Sequence, residues 1–133
     1  MRNYKCRAKR VDNGEWVEGY YVCIGKKYHY IYTGKINLIV PGTEKYLVVH
    51  ETVGQYTGIK DDNGAEIYEG DIVKVFDDDG NMDCKVLGIG EVKHHRGEWR
   101  LPGGLDDNLY DICDIYISEV IGNIHETPEL LEE

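Results

Sequence analysis

Trp16-Val17-Glu18-Gly19-Tyr20-Tyr21-Val22-Cys23-Ile24, Gly25-Lys26-Lys27 and Tyr28-His29-Tyr30-Ile31-Tyr32 read as strand, turn and strand. Aromatic and β-branched residues suit a pleated, half-buried surface, and a glycine opens the turn between them. Toward the N-terminus, Tyr4-Lys5-Cys6-Arg7-Ala8-Lys9 alternates with period two, with Tyr4, Cys6 and Ala8 on one face and Lys5, Arg7 and Lys9 on the other. Asp12-Asn13-Gly14-Glu15 turns the chain back into Trp16, so the first forty residues form a meander of hairpins. Between Pro41 and Gly70 the alternation weakens and turn residues crowd together, at Pro41-Gly42-Thr43, Gly54, Thr57-Gly58 and Asp61-Asp62-Asn63-Gly64, which marks a boundary.

From Asp71 the alternation resumes in Ile72-Val73-Lys74-Val75-Phe76, in 84–87 and 88–93, in Glu98-Trp99-Arg100-Leu101 and, after a looser stretch, in Glu119-Val120-Ile121-Gly122-Asn123-Ile124. Short strands joined by tight hairpins predict a small SH3-like β-barrel, whose closure would remove exposed edges. Thr127-Pro128-Glu129-Leu130-Leu131 combines a cap residue, Pro at the first helical position and an acidic first turn, which predicts a final helical turn. The expected fold is mainly β, with an N-terminal β-meander sub-domain (1–54), a turn-rich connector (55–70) and the SH3-like barrel sub-domain (71–133).

A chain of 133 residues suffices for one ordinary domain or two very small ones, and it needs no metal or disulfide to fold. Apolar runs such as Leu38-Ile39-Val40 fall far short of the roughly 20 residues that span a bilayer, and Met1-Arg2-Asn3-Tyr4-Lys5 leads into no signal-peptide core. The expected location is the cytoplasm of a bacterial host, with no membrane partner. Cys6, Cys23, Cys84 and Cys113 form no C-x-x-C pair, and they read as free thiols packed as small hydrophobes. Net charge is −10, divided unevenly: residues 1–50 carry nine Lys/Arg against four Asp/Glu, and residues 51–133 carry six against twenty-one. Such asymmetry permits head-to-tail attraction between subunits, or two halves of one molecule meeting across a complementary interface.

The segment Gln55-Tyr56-Thr57-Gly58-Ile59-Lys60-Asp61-Asp62-Asn63-Gly64-Ala65-Glu66-Ile67-Tyr68-Glu69-Gly70-Asp71-Ile72-Val73 resembles the central signature of the YopX-type family. The ending Glu119 to Leu131 resembles the C-terminal pattern of that family, and Lys5-Cys6-Arg7-Ala8 is a weaker third match, since the family usually has an aromatic where Cys6 stands. The resemblance implies a phage or prophage protein and brings no catalytic residues with it. Read physically, Asn63-Gly64 suits a type I′ turn, Gly70 suits a conformation closed to residues with a Cβ, and Asp71 can accept bonds from nearby amides. Gly58, Asn63, Gly64, Gly70, Asp71, Gly122 and Asn123 are the structural signature; Gln55, Tyr56 and Glu69 are candidate docking residues.

No catalytic motif is present. A phosphate loop and a nucleophile elbow are lacking, and Gly88-Ile89-Gly90-Glu91 is not a dinucleotide fingerprint. Asp77-Asp78-Asp79-Gly80-Asn81-Met82-Asp83 does not fit an EF-hand, because with Gly80 at the sixth position Val75 and Val86 would stand where ligands are needed. His94 and His95 are adjacent and point to opposite faces of a strand, while His29, His50 and His125 have no local partner at ligand spacing. Catalytic, cofactor-binding and metal residues are therefore all expected to be none, and no cofactor is implied.

The favoured expectation is a non-catalytic interaction protein that docks on a host or phage protein and self-associates. The alternative is a nucleic-acid-associated factor using Arg2, Lys5, Arg7, Lys9, Arg10, Lys26 and Lys27 with Tyr4, Tyr20, Tyr21, Tyr28 and Tyr30, although aromatics at alternating positions are first of all expected in a core. A third reading is an acidic decoy that occupies a DNA-binding groove.

Overall fold

The computed structural model describes residues 5–36, 43–78, 84–102 and 108–131, and the chain forms two compact units, Met1–Tyr56 and Thr57–Glu133. In the first unit, β1 (Lys5–Lys9), β2 (Trp16–Ile24), β3 (Tyr28–Ile36), β4 (Thr43–Leu47) and the start of β5 (Gly54–Lys60) build a sheet in the order β4-β3-β2-β1-β5. Neighbouring strands in that order are antiparallel. The turn at 12–15 is closed by Arg10 N–H donating to Glu15 O at 2.9 Å and by Asn13 Oδ1 accepting from Glu15 N at 2.9 Å. Between β2 and β3, Gly25 and Lys26 both take positive φ, the conformation a tight hairpin requires.

Among the described residues the buried core of this sheet lies on one face. Cys6, Ala8, Ile31 and Val48 form its core, with Val17, Tyr21 and Val53 against them. A 3-10 turn at His50–Thr52 lies over β1: Thr52 Oγ1 accepts from Lys9 N at 2.9 Å and donates to Val49 O at 2.7 Å.

The second unit contains the rest of β5, β6 (Glu66–Tyr68) beside it, β7 (Asp71–Asp78), β8 (Cys84–Glu91), β9 (Lys93–His95), β10 (Glu98–Arg100), α1 (Leu109–Ile115), β11 (Ile117–Asn123) and a 3-10 turn at Pro128–Leu131. Residues 84–91 form one strand rather than the expected two. The strands form a three-stranded sheet, β11-β7-β8, and a separate β9–β10 hairpin. Among the described residues no sheet closes into a barrel, which corrects the SH3-like expectation. Val92, fully buried just after β8, still bonds the start of β7, donating to Asp71 O at 2.8 Å and accepting from Gly70 N at 3.0 Å. Beyond it β9 pairs with β10 and Arg100 bridges Asn108, so among the described residues no ladder joins the hairpin to the three-stranded sheet.

The stretch that looked loose in sequence holds α1. Asn108 caps it, its side chain accepting from Asp111 N at 2.9 Å, and Leu109 and Ile112 turn inward three residues apart. They join Ile67, Val73, Val75, Val92 and Leu101 in the core of this unit. Residues 79–83 of the acidic loop considered for calcium lie outside the described residues. Among the described residues no helix is long and apolar enough to cross a membrane.

Candidate docking face on the first unit

Directly opposed residues of an antiparallel pair project to the same side, so the register assigns the second face of the N-terminal sheet. Lys5, Arg7 and Lys9 lie opposite Tyr20, Glu18 and Trp16; Tyr20, Val22 and Ile24 lie opposite Tyr32, Tyr30 and Tyr28; Tyr30 and Tyr32 lie opposite Leu47 and Lys45. Tyr56 follows Gln55 on β5, which faces Cys6 on the packed side, so Tyr56 projects to the open side. Among the described residues this face therefore holds one Trp, five Tyr, three aliphatic residues and four cations against a single carboxylate, Glu18. Tyr20, Val22, Ile24, Tyr28 and Leu47 each keep between 40% and 47% of their surface exposed. Tyr20 and Tyr28, expected in a core, are exposed instead, and Tyr30 on the same face is half-buried.

Cations and rings are interleaved across it. Lys5 Nζ lies 5.3 Å from the Tyr56 ring, Arg7 4.7 Å and Lys9 5.5 Å from the Trp16 ring, and Lys45 4.8 Å from the Tyr30 ring. Each such contact contributes about 0.5–1 kcal/mol at an exposed site. The cations hold the rings in place while adding positive charge to an apolar surface. Lys27, in the β2–β3 turn, lies 5.6 Å from the Tyr28 ring.

Not every basic residue of the N-terminal half belongs here. Arg10 bonds Asp12 through Nε at 2.9 Å and through a terminal nitrogen at 2.6 Å, and it stacks on Tyr46 at 4.1 Å. The hydrogen-bonded guanidinium holds the Asp12 carboxyl below the usual range. Arg2 and Tyr4 lie outside the described residues.

On the packed side the structure joins two histidines that lie 21 positions apart. The rings of His29 and His50 stack with centroids 4.2 Å apart, and the Tyr21 hydroxyl lies 2.6 Å from His29 Nδ1 and 3.4 Å from His50 Nδ1. Burial pushes the Tyr21 phenol up, so it stays protonated and donates to whichever ring nitrogen is bare. Among the described residues no group of three or more His, Cys, Asp or Glu is arranged to hold a metal ion.

The signature residues of the second unit are engaged in backbone geometry. Asp61 Oδ1 accepts from Asn63 N at 2.9 Å and Ala65 N at 2.8 Å, while Oδ2 accepts from Val120 N at 2.9 Å. Asp62 Oδ2 accepts from Ser118 N at 2.6 Å, so the two acids fasten the β5–β6 turn to β11. The turn is not type I′: Gly64 takes positive φ and Asn63 does not, because the Asp61 carboxylate holds the amide of Asn63 in place. Gly58 and Gly70 also have positive φ, and Asp71, 1% exposed, accepts from Tyr68 N at 2.8 Å. Asn123 Oδ1 accepts from His125 N and Glu126 N, both at 3.0 Å, and Thr127 Oγ1 accepts from Asn123 N at 3.1 Å.

Gly122 packs under that loop, where an added Cβ would overlap Thr127 Oγ1 and lie 3.0 Å from Leu130 Cδ1. Gly122→Ala is expected to lower stability by about 1–3 kcal/mol, read from the urea midpoint. An unchanged midpoint would contradict this packing. Of the three candidate docking residues, Gln55 and Tyr56 belong to the first unit on opposite faces of β5, and Glu69 is exposed in a turn of the second unit.

The thiols differ from one another. Cys6 is buried in the first core, Cys113 is half-buried against the second, and Cys23 is exposed, which departs from the expected packing. Burial pushes the Cys113 thiol up. Less of it is thiolate at pH 8, so iodoacetamide is expected to modify Cys23 at least about tenfold faster than Cys113, as followed by peptide mass spectrometry. Equal rates would contradict the burial of Cys113.

A family model described as YopX protein matches residues 5–132. Among solved structures, the crystal structure of protein EF1440 from Enterococcus faecalis is similar with a TM-score of 0.59 and 24% sequence identity, covering 98% of this chain and 99% of that one. At that identity the likeness concerns the fold. No curated protein matches the chain.

Proposed function

The chain belongs to the YopX protein family, and from that premise we propose that it is a non-catalytic docking protein of phage or prophage origin. Its working surface is the open face of the N-terminal sheet, and its ligand is a protein surface that is acidic and partly apolar. The observation that carries this reading is the company the exposed tyrosines keep. Rings, aliphatic residues and four cations share one face that the sheet does not use for its own core. Aromatic residues and Arg are enriched in the buried centres of protein interfaces, and contiguous exposed apolar surface marks such sites. The aliphatic members, Val22, Ile24 and Leu47, favour a protein ligand over a single-stranded nucleic acid, whose bases need rings and whose phosphates need charge.

The test compares the tagged full chain with its Lys9→Glu/Lys45→Glu variant in capture from host lysate, with and without nuclease, alongside titration with single-stranded DNA and RNA. A protein with an acidic surface, retained after nuclease and weakened at least about tenfold in the variant, is the expected result. Oligonucleotide binding lost in the same variant would replace this reading with the nucleic-acid one. A partner captured equally by both proteins would remove the face from consideration.

A further inference from the structure

Resting on the docking reading above, we infer that the open face receives a second copy of this chain, which presents the outer side of α1 and the cleft beside it. Leu109 and Ile112 anchor α1 inward, so the helical period places Tyr110, Asp111, Asp114 and Ile115 on one outward arc. Tyr110 and Ile115 are each 69% exposed, the highest values among the large apolar residues described. Asp111 and Asp114 stand between them, and the last turn of the helix carries no basic residue to offset its negative end.

The same arc borders a cleft of about 150 Å³ lined by Ile59, Glu98, Trp99, Asn108 and Tyr110. An apolar space of that size admits a benzene-sized ring. The open face of the first unit offers such rings on exposed Tyr20 and Tyr28. Charge complements shape: residues 1–56 carry nine Lys/Arg against five Asp/Glu, and residues 57–133 carry six against twenty. An apolar, acidic helix against an apolar, basic sheet satisfies both requirements of a specific contact. Because the two surfaces differ, the contact is head-to-tail, and each subunit keeps one free half until a ring closes or a chain grows.

Sedimentation velocity of the full chain and of two charge-reversed variants tests the inference. The wild type is expected to exceed monomer mass at roughly 50 mM salt and to move toward monomer at roughly 500 mM, where the Debye length falls several-fold. Lys9→Glu/Lys45→Glu and Asp111→Lys/Asp114→Lys are each expected to be monomeric alone, with unchanged circular dichroism, because Lys45, Asp111 and Asp114 are exposed and Lys9 is half-buried outside the core. An equimolar mixture of the two variants is expected to assemble again, since each reversed surface then meets its complement. A monomeric wild type at low salt, or variants that assemble like the wild type, would overturn the inference. Either result leaves the docking reading to its own capture experiment, which depends on the face and not on self-association.

Discussion

Gly19→Ala is expected to cost about 3 kcal/mol or more and to unfold the first unit under mild denaturant. A Cβ built on Gly19 would overlap the carbonyl oxygen of Tyr32 and lie 2.8 Å from its carbonyl carbon, with Ile31 Cγ2 at 3.1 Å. The obstacle is backbone in the adjacent strand, and it cannot rotate away as a side chain end does. Relief requires parting β2 from β3 beside the Tyr20–Tyr32 pair and next to the buried Ile31, where the sheet is centred. Overpacking that forces backbone shifts costs about 1–3 kcal/mol, and loss of ladder bonds adds to it, against a total stability of about 5–15 kcal/mol. Urea unfolding followed by tyrosine fluorescence reads the effect. A midpoint within error of wild type would show that β2 and β3 are further apart at this point than described.

Asp61→Ala is expected to have an effect of similar size in the second unit. Its buried carboxylate accepts three backbone N–H donors, and the substitution leaves those of Asn63, Ala65 and Val120 without their acceptor. A buried donor left unsatisfied costs about 1–3 kcal/mol, reduced where water can enter. Asp61→Asn separates shape from chemistry, because one oxygen becomes an NH2 group that must face an N–H. The Asn variant is expected to recover only part of the loss. Hydrogen exchange at Val120 gives the site-specific reading: its amide should lose protection in both variants, and unchanged protection would disprove the link between the turn and β11.

Much of the first unit was legible because hairpins are local. Trp16–Ile24 and the start of β3 at Tyr28 follow from period-two composition and one turn. The choice of faces was not legible. Tyr20, Val22 and Ile24 alternate with Tyr21 and Cys23, and Tyr28, Tyr30 and Tyr32 alternate with His29 and Ile31, so both sides of the hairpin are rich in apolar residues. Alternation fixes which residues share a side, but it casts no vote on which side is covered. Val48, Val53 and the His50–Thr52 turn settle that by packing against Ile31 and its neighbours, and they arrive from about twenty residues away. The same long return brings His50 onto His29, a pair that no local spacing announces.

In the second unit the signature was readable as turn chemistry, but the destinations of its acids were not. Asp61 and Asp62 reach β11 more than fifty residues later in the chain. Helix α1 was missed because seven residues give barely two turns of periodicity, and its cap at Asn108 resembles ordinary loop composition.

The sequence by itself determined the β class, the succession of hairpins in the first unit, the opposed charges of the two halves and the family. These rest on composition and on contacts between near neighbours, which period and turn residues encode directly. Only the tertiary structure decided that the sheets of the second unit stay open, that Asp61 reaches the amide of Val120 on β11, and that the aromatic and basic side of the N-terminal sheet faces solvent. Those outcomes depend on which surface a remote segment covers, and burial of that kind is a property of the packed chain.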